Sequence, residues 1–277
     1  MPARAALAAV AAVLGLGLAP AQDAAPAAVK KHADIRYRTD PDADPERHTL
    51  DFYTPVGKTD FPVLFFVHGG TWKSGNRGMY TAVGEEFAKL GIGTVVINYR
   101  LSPAVKHPAH VEDVAKAFAW TKANAARYGG DPKRITLLGH SAGGHLVSLL
   151  ALDPQYLKAE KLTPADIRGV IGVSGVYTIQ PEVALFHPCF GTDAKVCKQA
   201  SPLTHVAGKH PPFLLAYADN DFPGLDKMAD AMAGALKGCG CEQAVLKCAD
   251  RNHYSIIIFA IQPDDPLHRA IRDFARR

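Results

Sequence analysis

Non-alternating apolar runs recur along the chain: Val63-Leu64-Phe65-Phe66-Val67, Thr94-Val95-Val96-Ile97, Ile135-Thr136-Leu137-Leu138, Val170-Ile171-Gly172-Val173 and Phe213-Leu214-Leu215-Ala216. Such runs suit strands covered on both faces, since neither set of alternate residues meets water. Ala244-Val245-Leu246 is a weaker last member. Two earlier segments, Ile35-Arg36-Tyr37-Arg38 and Thr49-Leu50-Asp51-Phe52-Tyr53, alternate apolar with polar residues. They predict an antiparallel N-terminal pair with one face wet.

Helical periodicity fills the intervals. Tyr80, Val83, Phe87 and Leu90 share a face, and Gly91 stops that helix. Val111, Val114, Phe118 and Ala125 mark a second, ending at Gly129-Gly130. Leu225, Met228, Met232 and Leu236 mark a third, and Leu267, Ile271 and Phe274 a C-terminal one. Strands alternating with helices predict an α/β fold: a mostly parallel eight-stranded sheet with an antiparallel N-terminal strand pair and helices on both faces. No internal repeat or change of composition divides the chain. Residues 179–210 form the longest irregular stretch. Two roles are open to it: a small lid or pocket wall, or a surface insertion held by its cysteines.

The N-terminus changes the picture of what folds. Arg4 precedes an apolar run over residues 5–18, and Ala19-Pro20-Ala21 offers a small-x-small cleavage site before Gln22. Residues 1–21 read as a secretory signal and 22–33 as a flexible leader, leaving 34–277 as the folded domain. The product is expected to be exported, periplasmic or secreted, with no membrane association after signal removal. The apolar run is short for a membrane span, and an uncleaved anchor is the alternative. The chain has 277 residues and a formal net charge of +4, with basic residues scattered rather than clustered, so no nucleic-acid partner is expected. Its five cysteines are Cys189, Cys197, Cys239, Cys241 and Cys248. Export predicts pairing of Cys189 with Cys197, and of Cys239 or Cys241 with Cys248. Their spacing is not that of a zinc site, and no metal is expected.

Chemistry concentrates at Gly139-His140-Ser141-Ala142-Gly143, placed where an apolar strand gives way to an apolar helix. A serine on such a bend projects its hydroxyl clear of the backbone, and the new helix turns free N–H groups toward it. Ser141 is therefore the candidate nucleophile. A serine needs a base, and the base an orienting acid, in the chain order Ser, acid, His. Asp219-Asn220-Asp221 follows the strand ending near Ala218, and Asp221 is favoured because Pro223 then opens the next helix. Asp219 is the alternative, or else a structural acceptor for loop N–H groups. His253 follows the last strand and is the candidate base, so activity should fall as acid protonates it. His68-Gly69-Gly70-Thr71-Trp72 leaves the first apolar strand. It predicts an oxyanion hole from the N–H groups of Gly70 and Ala142, with Gly69 the near alternative. His68 is read as holding this loop. Trp72 either walls the substrate pocket or packs, and both it and His140 are candidate substrate contacts.

These segments, with Asn98-Tyr99-Arg100-Leu101-Ser102-Pro103, Gly130-Asp131-Pro132, Gly144-His145-Leu146 and Asn252-His253-Tyr254-Ser255-Ile256-Ile257, resemble the α/β-hydrolase superfamily over residues 47–277. The chain is similar to small carboxylesterases grouped with bacterial feruloyl-esterase-like and kynurenine-formamidase-like proteins. The resemblance implies a Ser-Asp-His triad of Ser141, Asp221 and His253, no cofactor, and hydrolysis of small or aromatic carboxylic esters through an acyl-enzyme on Ser141, carbohydrate-linked ones included. Two positions depart from the pattern. Thr71 stands where hormone-sensitive-lipase relatives carry a third glycine, and the acid loop lacks the common glycine before its acidic residue. Three functions compete: a carboxylesterase, an aryl formamidase or amidase with the same triad, and a non-catalytic binding protein on a hydrolase fold.

Overall fold

The computed structural model describes residues 27–277. The signal read from residues 1–21 lies outside the described residues. One sheet contains β1 (Val29–Arg36), β2 (Thr49–Pro55), β3 (Phe61–Val67), β4 (Gly93–Ile97), β5 (Gly130–His140), β6 (Gly169–Val173), β7 (Phe213–Asn220) and β8 (Gln243–Asn252). Their order is β1-β2-β4-β3-β5-β6-β7-β8. β2 pairs antiparallel with β1 and β4, and every other pairing is parallel. The helices are α1 (Thr81–Lys89), α2 (Ala109–Asn124), α3 (Ala142–Leu152), α4 (Pro154–Ala159), α5 (His187–Phe190), α6 (Ala194–Gln199), α7 (Leu225–Gly238), α8 (Ser255–Phe259) and α9 (Pro266–Ala275).

Successive strand residues point to opposite faces, and the central strands use both. Val63, Phe65 and Val67 of β3 join one core with residues of α2, α3 and α7, while Leu64 and Phe66 join a second with α1, α8 and α9. Every residue of β3 is buried, which is why its sequence shows no alternation.

The start of the domain differs from the expectation. β1 opens at Val29, inside the stretch 22–33 read as leader, and pairs Lys30 with Thr54 and Lys31 with Tyr53. An edge strand can be polar, and edge lysines discourage pairing with other chains. The register also shifts between His32 and Ile35, so no single alternation runs through it.

The cysteine pairings are a second correction: all five cysteines are free thiols. Cys189 Sγ donates to the Thr71 carbonyl at 3.5 Å and Cys197 Sγ lies 3.9 Å from the Gly191 carbonyl. Cys248 is buried in the core with α1, α8 and α9, whereas Cys241 packs against the core on the other face of the sheet. The sulfurs of Cys239 and Cys241 instead approach each other to 2.9 Å.

A buried ion cluster fixes the loop after β4. The Asp113 carboxylate on α2 accepts from the Arg100 backbone N–H (2.9 Å), Arg100 Nε (2.8 Å), a second guanidinium nitrogen (2.7 Å) and His48 Nε2 (3.1 Å). His48 donates there because its Nδ1 accepts the Asp44 N–H at 2.8 Å. Burial opposes the charge on Asp113, but these bonds outweigh it and hold the carboxyl below its usual range. The same loop reaches the candidate site, where the Ser102 N–H donates to the Trp72 carbonyl at 2.9 Å. Asp113→Ala leaves a buried guanidinium contact and a buried imidazole N–H without their acceptor. It is expected to destabilise the fold by about 3 kcal/mol, read as a lower urea midpoint at unchanged m-value. A carboxyl depressed on folding contributes above its unfolded value and loses that contribution as pH falls through the folded one. The gap between wild type and variant should therefore narrow in acid.

Candidate active site

The chain winds from β3 to β4 in one direction and returns to β5 on the other side of β3. The carboxyl ends of β3 and β5 thus flank the point where the winding reverses, the usual ligand position in open α/β sheets. Val67 and Gly139 are register partners, so the loop from His68 and the turn at Ser141 emerge side by side.

Ser141 joins β5 to α3 with φ 55° and ψ −119°, a strained conformation for a residue with a side chain. A Cβ on Gly139 would stand 2.2 Å from the Gly143 carbonyl oxygen, and one on Gly143 would stand 2.0 Å from that of Val67. The motif glycines are thus the missing side chains that let β3, β5 and α3 converge. The Ser141 N–H donates to the Val173 carbonyl at 2.8 Å, tethering the turn to β6.

Asp221 and His253 follow β7 and β8, which pair as far as Asn220 and Asn252. His253 Nε2 lies 2.9 Å from Ser141 Oγ, and its Nδ1 lies 2.6 Å from Asp221 Oδ1. With Nδ1–H donated to the carboxylate, Nε2 is free to accept the serine proton. Asp221 Oδ1 also accepts the Phe222 N–H at 2.9 Å, while Oδ2 accepts Ser174 Oγ–H at 2.5 Å and the Ala218 N–H at 3.1 Å. Burial works against the Asp221 charge, but bonds from His253, Ser174 and the two amides hold the carboxyl below its usual range. Asp219 has a different task. Its oxygens accept the N–H groups of Asp250 (2.9 Å) and Arg251 (3.0 Å), in the segment that delivers His253.

The loop after β3 lies against this group, since a Cβ on Gly69 would stand 3.0 Å from Ser141 Cβ. The N–H groups of Gly69, Gly70 and Ala142 have no acceptor among the described residues. The Gly69 carbonyl accepts from His68 Nδ1 at 2.7 Å. The Gly70 carbonyl accepts the N–H groups of Lys73 and Ser74, both at 3.0 Å. In a planar trans peptide, fixing a carbonyl also fixes the N–H that follows it, so the Gly70 N–H is held in one direction. Burial keeps His68 neutral, its pKa lowered to about 4. Thr71, in the position of the third glycine, adopts φ 51° and donates Oγ1–H to the Gly70 carbonyl at 2.8 Å. The threonine thus takes the left-handed backbone that glycine would supply.

Two candidate substrate contacts have other work. Trp72 is 1% exposed and packs edge-on to Phe186 and Phe190, with ring centroids 5.9 and 4.9 Å away. Its Nε1–H donates to His145 Nδ1 at 3.2 Å, and His145 Nε2–H donates to the Ala200 carbonyl at 2.7 Å. Trp72 therefore packs, tying its loop to α3 and to residues 179–210. His140 is buried, and its Nε2–H donates to the His253 carbonyl at 2.8 Å. Burial lowers its pKa to about 4, so it stays neutral. Through this bond it positions the segment that carries the base.

Sequence reasoning missed Ser174, which lies just beyond β6 with φ 49°. A strand-end serine level with the candidate acid was the available signal. Ser174→Ala removes a hydroxyl from a buried carboxylate, a bond worth about 2 kcal/mol. Only part of that bears on the transition state. The expected result is a fall of about tenfold in kcat/KM on an ester, as the carboxylate loses one of the donors that hold its pKa down.

Residues 50–223 match the BD-FAE family. The chain is 38% identical over 177 residues to the probable carboxylic ester hydrolase LipM of Mycobacterium tuberculosis (strain ATCC 25618 / H37Rv), covering 58% of this chain and 41% of LipM. It is 29% identical over 229 residues to Esterase LipQ of the same organism, covering 77% of this chain and 54% of LipQ. The chain thus spans about half the length of these relatives. Among solved structures, a truncated form of a carbohydrate esterase from gut microbiota aligns with TM-score 0.75 at 21% identity, covering 92% of this chain and 97% of that one. Esterase B from Lactobacillus rhamnosis aligns with TM-score 0.75 at 23% identity, covering 91% and 88%. At these identities the likeness concerns the fold, which is that of the α/β-hydrolases.

Proposed function

The chain belongs to the BD-FAE family, and on that premise we propose that it is a carboxylic ester hydrolase acting through an acyl-enzyme on Ser141. The observation that carries this reading is the continuous hydrogen-bonded path from Ser141 Oγ through His253 to Asp221, at 2.9 and 2.6 Å. His253 takes the serine proton as Oγ attacks the ester carbonyl, and Asp221 stabilises the resulting imidazolium. The Gly70 and Ala142 N–H groups, with Gly69 the near alternative, receive the developing oxyanion. His253 then returns the proton to the leaving alcohol, and water repeats the cycle on the acyl-enzyme. Small esters are the proposed substrates, and the carbohydrate esterase with the same fold supports including carbohydrate-linked ones. The composition of residues 1–21 supports export to the periplasm or medium.

The test is stoichiometric labelling by a fluorophosphonate, mapped to Ser141, beside a panel of acetyl, butyryl and feruloyl esters and N-formylkynurenine. Labelling with ester turnover is expected. Turnover of the formamide alone would replace the esterase by a formamidase, and absence of both labelling and turnover would leave a binding protein.

A further inference from the structure

The two faces of the His253 ring meet different surroundings. One side faces the buried His140 ring, whose centroid is 5.0 Å away. Phe222 stacks on His253 with centroids 4.2 Å apart and planes inclined by 22°, yet remains 46% exposed. Tyr254, 64% exposed, meets Phe222 edge-on at 5.8 Å and His253 edge-on at 5.5 Å. Cavities of about 260 to 470 Å³ indent the surface, none of them lined by Ser141 or His253, and one of about 320 Å³ is lined by Asp221 and Phe222.

We propose that Phe222 and Tyr254 are the platform for the alcohol half of the substrate, and that this half carries a ring, a sugar or a phenol. The proposal rests on the esterase reading above. His253 must hand its proton to the leaving oxygen, which therefore comes within hydrogen-bond reach of Nε2. Whatever that oxygen carries leaves along the flank of the imidazole, where the two rings stand. The acyl half is fixed by its carbonyl oxygen toward the loop after β3. There the interior is already filled by Trp72, Phe186 and Phe190, all buried. A ring laid on Phe222 or Tyr254 covers apolar surface that otherwise faces water, and an aromatic face accepts the C–H face of a sugar or a second arene. The tyrosine hydroxyl adds a polar handle beside it.

The test compares ethyl acetate, phenyl acetate and an acetylated methyl pyranoside on wild type, Tyr254→Ala and Tyr254→Phe. Phe222→Leu tests the second ring. The readout is kcat/KM for each ring ester divided by that for ethyl acetate. Tyr254→Ala and Phe222→Leu should each lower this ratio at least fivefold, mainly through KM. Tyr254→Phe should keep it for phenyl acetate, and a loss for the pyranoside alone would assign the hydroxyl to the sugar. Ratios equal in wild type and in both truncated variants would overturn the platform and leave the esterase reading standing. No hydrolysis of any ester by wild type would overturn both.

A separate observation concerns Cys239 and Cys241, which flank Gly240 at the end of α7. Both are partly exposed, and their sulfurs lie 2.9 Å apart. Gly240 takes φ 73°. The N–H groups of Cys239, Gly240 and Cys241 are bound to the carbonyls of Ala235 (3.2 Å), Lys237 (3.0 Å) and Leu236 (2.9 Å), so the backbone holds the thiols together. We infer that this pair is an oxidisable dithiol with a low-molecular-weight disulfide as its oxidant. One thiolate attacks the small disulfide and releases a thiol. The neighbouring thiolate then attacks the mixed disulfide and releases the second. The protein loses two protons and two electrons and gains one S–S bond, while the small disulfide becomes two thiols. Folded protein incubated with oxidised glutathione should yield a peptide containing both cysteines two hydrogens lighter, with Cys189, Cys197 and Cys248 still alkylated only after unfolding. In Cys241→Ser, glutathione should remain attached to Cys239. A wild-type peptide that keeps both hydrogens, or keeps glutathione on one sulfur, would overturn the inference.

Discussion

Ser141→Ala is expected to lower kcat on p-nitrophenyl acetate by at least about four decades, the scale on which hydrolases lose activity when the nucleophile is removed. The hydroxyl supplies the attacking atom, and it is the group that His253 Nε2 meets, at 2.9 Å. Fluorophosphonate labelling should disappear with it. The fold should survive. The substituted Cβ already exists in serine, and the contacts that shape the turn are backbone ones, such as the Ser141 N–H to the Val173 carbonyl at 2.8 Å. The variant inherits the backbone strain at φ 55°, since alanine tolerates that conformation no better than serine. Its thermal midpoint should therefore stay close to that of wild type. Residual turnover is expected from the N–H groups of Gly70 and Ala142, which still polarise a bound carbonyl toward water. Full activity in the alanine protein would remove Ser141 from the mechanism and the acyl-enzyme with it.

The sheet and the three side chains were legible for one reason: both are dictated by local pattern and chain order. Buried parallel strands announce themselves as unbroken apolar runs, and the turn glycines around Ser141 are demanded by contacts of about 2 Å that any Cβ would make. Once strand ends are located, the loops that carry Asp221 and His253 follow. What the sequence hid depends on which residues face each other across the fold. β1 carries lysines on an exposed edge and a register shift, so it lacks the alternation that marks β2. The roles of Trp72 and His140 turn on orientation: the same tryptophan could wall a pocket or fill a core, and only its bond to His145 decides. The pairing expected between Cys241 and Cys248 failed because the sheet separates them, a distance that spacing along the chain cannot report. Ser174 and Phe222 escaped notice because their partners, Asp221 and His253, lie just beyond the ends of other strands.

Asp221→Asn is expected to lower kcat/KM by about 10⁴, as when the triad acid is made neutral without loss of shape, whereas Asp219→Asn should cost only a few-fold. The asymmetry follows from hydrogen-bond direction. Every partner of the Asp221 carboxylate is a donor: His253 Nδ1–H and the Phe222 N–H on Oδ1, Ser174 Oγ–H and the Ala218 N–H on Oδ2. An amide has one acceptor atom to offer where the carboxylate has two. If its NH₂ takes the place of Oδ2, it meets the Ala218 N–H donor to donor, and the ionic support of the imidazolium is gone. If its NH₂ takes the place of Oδ1, the imidazole must turn its bare nitrogen toward it and carry its proton on Nε2, where it can no longer accept from Ser141. Both outcomes strike the step in which charge develops on His253. Asp219 accepts the backbone amides of Asp250 and Arg251 and, at 3.2 Å, the side-chain amide of Asn220, so its asparagine loses one of two backbone bonds. It should loosen the segment holding His253, seen as a modestly lower thermal midpoint. Paired assays of the two variants on one ester, with melting curves for each, make the comparison. Equal losses in both would mean that the acid cannot be assigned to Asp221 by geometry, and a larger loss in Asp219→Asn would move the assignment two residues back along β7.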